Sequence, residues 1–386
     1  MKIVIAPDSF KGSLTADEVS QAIYTGLKPI FPQADYQLIP MADGGEGTLD
    51  VLIKATNGEL IKVKVHDPFN KLTDGYLGLT GDHQTAIVEV AQASGLQFVS
   101  DHKANPGVAS TYGTGELIKK ALDYNTKNII ITLGGSSTND AGAGMITALG
   151  AQLLDQDNQP ITLGGETLDS VSKIDLTKLD PRLKKTNIIL ATDVKNPLTG
   201  ENGASLVFSQ QKGATPTQAK ELDAKLHSFA QITKQTTGLD NEFTPGAGAA
   251  GGVGFAGLTF LNAKIESGID LVLNLTNFAQ KAQNADLVFT GEGGIDYQTQ
   301  FGKTPFGVAK AAKIISPNSI VIALVGNIGT NINVLYGNDK IDAIFATESG
   351  AKSLSQAIKD SKYDISQTSE NIARLIKRQQ KSVRKI

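Results

Sequence analysis

Short runs of branched aliphatic residues set the pattern of this chain: residues 3–6, 129–133, 188–191, 287–290, 320–325 and 343–346. Most are near-continuous rather than alternating. A strand that is apolar on both sides must be covered on both faces, which is the situation of a parallel sheet between helical layers. Helical patterns lie between several of these runs. The clearest covers residues 15–31, where Thr15 and Glu18 make a capping box, Val19, Ile23 and Leu27 recur at helical spacing, and Pro29 and Pro32 mark the exit. Strands alternating with helices predict an α/β protein with a mostly parallel sheet. Residues 60–90 have another texture: Lys62-Val63-Lys64-Val65 alternates, Asp67-Pro68-Phe69-Asn70 has turn chemistry, and residues 86–90 form a further strand. Short strands with close turns predict an antiparallel or mixed sheet, and so a change of domain. The length of 386 residues also exceeds one ordinary core.

Composition removes several classes of function. Lys+Arg (36) nearly balances Asp+Glu (39), for a net charge of −3. No basic stripe marks a nucleic-acid binder. The basic tail Lys377-Arg378, Lys381, Arg384-Lys385 reads as a solvated helix end. Without cysteine there is no disulfide, thiolate metal site or cysteine nucleophile. The apolar start at residues 1–6 is stopped by Pro7-Asp8, too soon for a signal-peptide core. No run approaches the ~18 apolar residues of a membrane span. A cytoplasmic protein is expected.

Ligands in open α/β sheets bind beyond the carboxyl ends of strands. The residues that follow each run therefore matter most. They are Pro7-Asp8-Ser9-Phe10-Lys11-Gly12-Ser13, Ala42-Asp43-Gly44-Gly45-Glu46-Gly47, Gly134-Gly135-Ser136-Ser137-Thr138-Asn139-Asp140, Thr192-Asp193-Val194-Lys195-Asn196 and Gly291-Glu292-Gly293-Gly294-Ile295-Asp296. Nearly every strand end delivers an acid, often beside glycine. Any one of these motifs serves a cap or turn as readily as a site. Their shared position favours a site. The four histidines, His66, His83, His102 and His227, all lie outside these motifs, so a histidine triad or histidine-rich metal centre is not expected. Carboxylates, glycine-rich turns and lysine suit Mg²⁺ and phosphate instead. Residues 246–251 match GxGxxG, but residues 241–245 precede them rather than a strand, and close packing is the plainer reading. Gly302-Lys303-Thr304 ends like a P-loop, but position 297 is Tyr where the first glycine is required.

Taken together, these motifs resemble the bacterial glycerate kinase family (class I). The resemblance rests on residues 7–14 and 42–47, Tyr112-Gly113-Thr114-Gly115-Glu116-Leu117, residues 134–144, Asp193 with Asn196-Pro197-Leu198, residues 246–254, and Thr290-Gly291-Glu292-Gly293 with Asp296, Gln298-Thr299 and Gly302-Lys303. They occur in the family's order over residues 3 to about 312. Ser137 and Ala141 stand where Ala and Gly are expected, and all three types are small. The resemblance implies transfer of the γ-phosphoryl of Mg-ATP to D-glycerate, giving 2-phosphoglycerate, with 3-phosphoglycerate as the alternative. It also implies a Rossmann-like three-layer domain of residues 1–65 and 285–386, an inserted α/β domain of residues 66–284 with a mixed sheet, and an active site in the cleft between them. The expected partners are D-glycerate and ATP, without nucleic acid or membrane, and a homodimer is left open.

Position and chemical type then assign roles. Asp193 or Asp296 is the base for the acceptor hydroxyl, and Lys11 or Lys303 stabilises the transferred phosphoryl. Asp8, Asp43, Glu46 and Glu292 are candidates for Mg²⁺ or its waters. Asp8, Ser9, Gly134, Gly135, Ser136, Asn139, Asp140, Gly291, Gly293 and Gly294 form the expected substrate- and phosphate-binding set. Competing readings are a kinase or phosphatase for another sugar acid, a two-domain sensor without turnover, and NAD binding at residues 246–251. Residues after 354 read as a helix in which Ile365, Ile372, Leu375 and Ile376 are partly periodic, packing on the first domain.

Overall fold

The computed structural model describes residues 1–99 and 104–383. His102, Arg384, Lys385 and the side chain of Lys381 lie outside the described residues. The first half carries strands β1 (Lys2–Ile5), β2 (Asp35–Leu38), β3 (Glu59–His66), β4 (Leu72–Leu79), β5 (Thr85–Glu89) and β6 (Asn128–Thr132). The remainder carries β7 (Gln152–Leu154), β8 (Lys173–Asp175), β9 (Asn187–Ala191), β10 (Lys264–Glu266), β11 (Leu287–Ile295), β12 (Ile320–Ile328) and β13 (Ala343–Ala346). All the aliphatic runs picked out in the sequence are strands. The α/β class is as expected.

The chain divides into two compact units. One joins Met1–Asp43 to Gly268–Ile386, and the other is Gly44–Ser267. These borders fall earlier than the expected 65/66 and 284/285. β3 pairs with β4 along its whole length, which ties residues 59–65 to the second unit. Helix Gly268–Leu275 touches helix Thr304–Ile315 where Ile269 meets Gly307, which ties it to the first.

The first unit is built on a five-stranded sheet in the order β13-β12-β11-β1-β2, with every neighbouring pair parallel. From β1 the chain moves to β2 on one side, and from β11 to β12 on the other. The sheet therefore reverses direction between β1 and β11, the point at which open α/β sheets bind ligands. Helix Ala16–Leu27 begins as expected: Thr15 Oγ1 accepts from the Glu18 N–H at 3.3 Å, and Glu18 Oε2 accepts from the Thr15 N–H at 2.9 Å. Its buried face of Val19, Ile23 and Leu27 joins Ile3, Ile5, Phe289, Leu324, Ile365 and Ile372 in one core. Ile365 and Ile372 belong to the last helix, Leu354–Val383. Leu375 does not share that face and is exposed, which corrects the periodicity read from the sequence. Lys377 in the basic tail donates to the Ile30 carbonyl at 2.8 Å, so this part of the tail is docked on the unit. The two helices touch at Gly26, where a Cβ would stand 2.1 Å from the Ser366 carbonyl oxygen. Gly26→Ala is expected to destabilise the protein by about 1–3 kcal/mol, the usual range for overpacking. A lower midpoint in urea unfolding checks this, and an unchanged midpoint contradicts it.

The second unit has a six-stranded sheet, β10-β9-β6-β5-β4-β3. β3, β4 and β5 are antiparallel, whereas β5, β6, β9 and β10 run parallel. This is the mixed sheet that residues 60–90 predicted. The expected turn is formed, with Asp67 Oδ1 accepting from the Phe69 and Lys71 N–H groups. β7 and β8 form a separate antiparallel pair.

Candidate active site

In the first unit, three carboxylates emerge at the carboxyl ends of parallel strands. Asp8 follows β1, Asp43 follows β2, and Glu292 lies in the outer half of β11. The Asp8 N–H donates to the Gly291 carbonyl at 2.8 Å, continuing the β1–β11 pairing to the acid itself. Asp8 Oδ1 accepts from the Ser9 N–H at 2.6 Å, and Asp8 Oδ2 accepts from the Thr304 hydroxyl at 2.5 Å. Glu292 Oε1 accepts from the Thr299 hydroxyl at 3.0 Å, and Lys303 Nζ stands 3.7 Å from Glu292 Oε2.

Burial and mutual repulsion act on these acids. Asp8 is pushed up to about 7, first by burial and then by the charge of Asp43, against the hydrogen bonds from Thr304 and Ser9. Glu292 is also pushed up to about 7 by burial, opposed mainly by Lys303, with Asp43 and Asp296 adding repulsion. Two half-buried acids that share a neighbouring negative charge form a site that gains from a cation. Gly291 is a packing residue, since a Cβ there would lie 2.0 Å from the Leu324 carbonyl oxygen. Gly293 is in ordinary contact with Phe10 and Lys11, and Gly294 faces open space, so this end of β11 leaves room for a ligand. Lys11 is exposed in the turn between Phe10 and Leu14. Asp296 caps the short helix Tyr297–Phe301, where its Oδ1 accepts from the Gln298 N–H at 2.8 Å.

The second unit repeats the arrangement at the parallel ends of β5, β6 and β9, which end in register at Glu89, Thr132 and Ala191. Beyond β6 runs the 134–140 loop. Gly134 packs against Gly45, where a Cβ would meet Gly45 Cα at 2.4 Å, and its N–H donates to the Gly44 carbonyl. Gly135 has φ +72, a conformation that favours glycine. Asp140 is fully buried, and its carboxylate accepts from the Thr111 N–H and hydroxyl and from the Gly142 and Gly144 N–H groups. Expected among the binding residues, Asp140 instead braces the loop from inside. Asn139 is buried too and donates to Ser205 Oγ at 2.8 Å. The helix that follows this loop starts at Ala143, because Ala141 and Gly142 are left-handed. Beyond β9, Asp193 is half-buried in a segment whose Thr192 N–H donates to the Glu266 carbonyl.

Glu46, from the expected metal set, is exposed and belongs to the second unit, whereas Asp43 and Glu292 belong to the first. Among the described residues, no three His, Cys, Asp or Glu side chains are grouped so as to hold a metal by themselves. His66 and His227 pair through Nδ1 with Glu116 and Glu242. In the 246–251 motif, a Cβ on Gly248 would meet the Pro197 carbonyl oxygen at 2.2 Å, and one on Gly251 would meet that of Thr138 at 2.0 Å. These glycines admit close backbone contacts, Gly251 with the 134–140 loop and Gly248 with the segment after β9.

Sequence reasoning passed over three side chains here. Glu89 is buried, pushed up to about 7 by that burial, and accepts from the Gly47 and Leu49 N–H groups. Its signal was available: it ends a strand, as the other acids do. Thr304, which anchors Asp8, directly follows Gly302-Lys303. Lys212 had no signal. It is buried, and it donates to Ser136 Oγ at 2.9 Å and the Thr138 carbonyl at 2.7 Å.

A family model described as the glycerate kinase family matches residues 3–377, nearly the whole chain. The chain belongs to the glycerate kinase family. Its relatives in that family include a glycerate kinase of Haemophilus influenzae, 47% identical over 97% of this chain and 99% of the relative. The glycerate 2-kinase of Escherichia coli K12 is 45% identical over 97% of each chain. A crystal structure of a protein from Salmonella typhimurium LT2 superimposes with a TM-score of 0.86 at 42% identity, covering 99% of both chains. The α/β fold is shared with that structure.

Proposed function

We infer that the protein transfers the γ-phosphoryl group of ATP to glycerate, giving 2-phosphoglycerate and ADP. The observation that carries the assignment of chemistry to residues is the gathering of Asp8, Asp43 and Glu292 at adjoining strand ends, with Lys303 beside them. Their donor set, hard carboxylate oxygens in a partly enclosed place, fits Mg²⁺. That ion takes one or two carboxylates and completes its shell with water and substrate phosphates, so a dedicated cage of acids is not required. When bound, it neutralises charge on the phosphates.

Each residue then has a task. Thr304 and the Ser9 N–H hold the Asp8 carboxylate in one orientation. Lys303 lies close enough to Glu292 to be aimed by it, and offers its ammonium to the moving phosphoryl. The end of β11 at Gly293 and Gly294 lets phosphate oxygens approach the backbone. In the second unit, the loop beyond β6 takes the glycerate anion. Asp193, beyond the neighbouring strand β9, accepts the proton of the hydroxyl that attacks. Asp296, the other candidate base, already has its carboxylate engaged as a helix cap. Among the described residues no helix is long and apolar enough to cross a membrane, and we place the enzyme in the cytoplasm.

Phosphorus NMR of the products formed from Mg-ATP and D-glycerate tests the reading. A 2-phosphoglycerate signal is expected. A 3-phosphoglycerate signal would move the reaction to the other hydroxyl, and folded protein that binds ATP without turnover would remove the kinase reading.

A further inference from the structure

Lys212 ends the short helical turn Gln210–Lys212, which follows helix Ala204–Phe208. Its side chain leaves that turn and enters the 134–140 loop, where it is 3% exposed. Burying an ammonium is costly unless its charge is used. Here it has two neutral acceptors, Ser136 Oγ and the Thr138 carbonyl. Asp140 is the carboxylate that acts on it, but four donors already surround Asp140. Among the described residues, the cation thus faces a loop in which no carboxylate ligates it.

The hydrogen-bond directions have a consequence. Lysine ammonium is only a donor, so Ser136 Oγ must accept from it. The Ser136 hydroxyl proton is then left to donate to another acceptor, and a donor polarised by a neighbouring cation suits an anion. The same loop has a further hydroxyl to spare: among the described residues, Thr138 Oγ1 is buried with no partner. Buried polar atoms without partners call for an explanation, and a ligand is one.

We propose that Lys212 is a positioning residue of the acceptor site: it orients the Ser136 hydroxyl and charges the 134–140 loop to receive the carboxylate of the hydroxy acid. This rests on the kinase reading above. The choice of carboxylate over phosphate follows from charge. The acids of the first unit suit a metal-bound phosphate, whereas this loop presents a buried ammonium and hydroxyls, which suit a bare anion. Beyond it, β9 delivers Asp193 from the strand next to β6, so the carboxylate and the attacking hydroxyl of one small acid are served by neighbouring strand ends. Burial also pushes the Lys212 ammonium down to about 7, against the pull of Asp140. A bound anion would favour its charged form.

The test is steady-state kinetics of Lys212→Met and Ser136→Ala in the full chain, with melting temperatures as the check on folding. Lys212→Met keeps the length and apolar stem of the side chain and removes its charge. Its KM for D-glycerate is expected to rise by about tenfold or more, in line with loss of a hydrogen bond made to a charged group, while its KM for ATP stays within about twofold. Ser136→Ala is expected to shift the same constant in the same direction. The double variant should be no worse than Lys212→Met alone, because the two groups act as one relay. A larger change in KM for ATP than for D-glycerate would give the loop to phosphate and overturn the carboxylate assignment. A lower melting temperature with both KM values unchanged would leave Lys212 a purely structural role and overturn the proposal. If Lys212→Met does not fold, Ser136→Ala decides by the same criteria. Should the wild-type protein show no turnover, the kinase reading fails on its own. Titration calorimetry of D-glycerate into wild type and Lys212→Met then tests the anion site, which weaker binding by the variant supports and equal binding or none to either refutes.

Discussion

Asp8→Asn is expected to reduce glycerate phosphorylation by a factor of hundreds, and at the same time to stabilise the metal-free protein above pH 7. The two effects share a cause. Asp8 is half-buried beside Asp43, within the field of Glu292, and is pushed up to about 7. An acid whose pKa is higher in the folded state than in the unfolded state binds more protons when folded. Between its ordinary value of 3.8 and about 7, stability therefore falls as pH rises, and the full penalty is present above that window. Asparagine has nearly the same shape and no charge, so the variant escapes the penalty, on the order of a few kcal/mol at most. Its Oδ1 can still accept from the Ser9 N–H, and its amide N–H can donate to the Thr304 hydroxyl oxygen, so both partners stay satisfied. The loss of activity follows from removing a charge that orders the cation and phosphates, where such preorganised groups each contribute about a hundred- to thousandfold. Melting curves from pH 5 to 8 in a chelator, with turnover assays in Mg²⁺, check both halves. A variant that is less stable than wild type at pH 8 and fully active would remove Asp8 from the site.

Asp193→Asn is expected to lower kcat by about a hundredfold or more, the usual effect of losing a general base. Asp296→Asn is expected to have a much smaller effect. Asp296 already holds the Gln298 N–H and caps the helix Tyr297–Phe301, and asparagine caps nearly as well. The contrast is informative because sequence position alone made the two acids equal: each is delivered beyond a strand. Single-turnover measurements with saturating ATP and D-glycerate separate the chemical step from binding. If both variants retain full turnover, the base lies elsewhere. If Asp296→Asn is the more damaging, the roles are reversed.

Much of the fold was legible before any coordinates. The aliphatic runs became strands because an uninterrupted branched run has one good solution, a strand buried on both faces. The capping box at Thr15 and Glu18 was legible because both partners lie within one turn of chain. The mixed sheet of the second unit was legible in the alternation at residues 62–65. Where the reading failed, the deciding contact was distant. Leu375 lies in the periodic stretch but off the face that meets helix Ala16–Leu27. The unit borders moved because β3 is held by β4 and helix Gly268–Leu275 by Thr304–Ile315.

The candidate site divides in the same way. The sequence by itself determined which chemistries the chain carries, namely carboxylates, glycines and lysines at strand ends, together with its place in a family, because those properties reside in residue type and local order. Only the tertiary structure decided which of them meet. Parallel pairing sets β1 between β2 and a strand from the far end of the chain, and so brings Asp8, Asp43 and Glu292 into one field. It turned Asp140 inward to four donors, made a cap of Asp296, and buried Lys212 against Ser136. No spacing rule contains these outcomes, since desolvation and hydrogen-bond direction depend on what the rest of the chain places around each group.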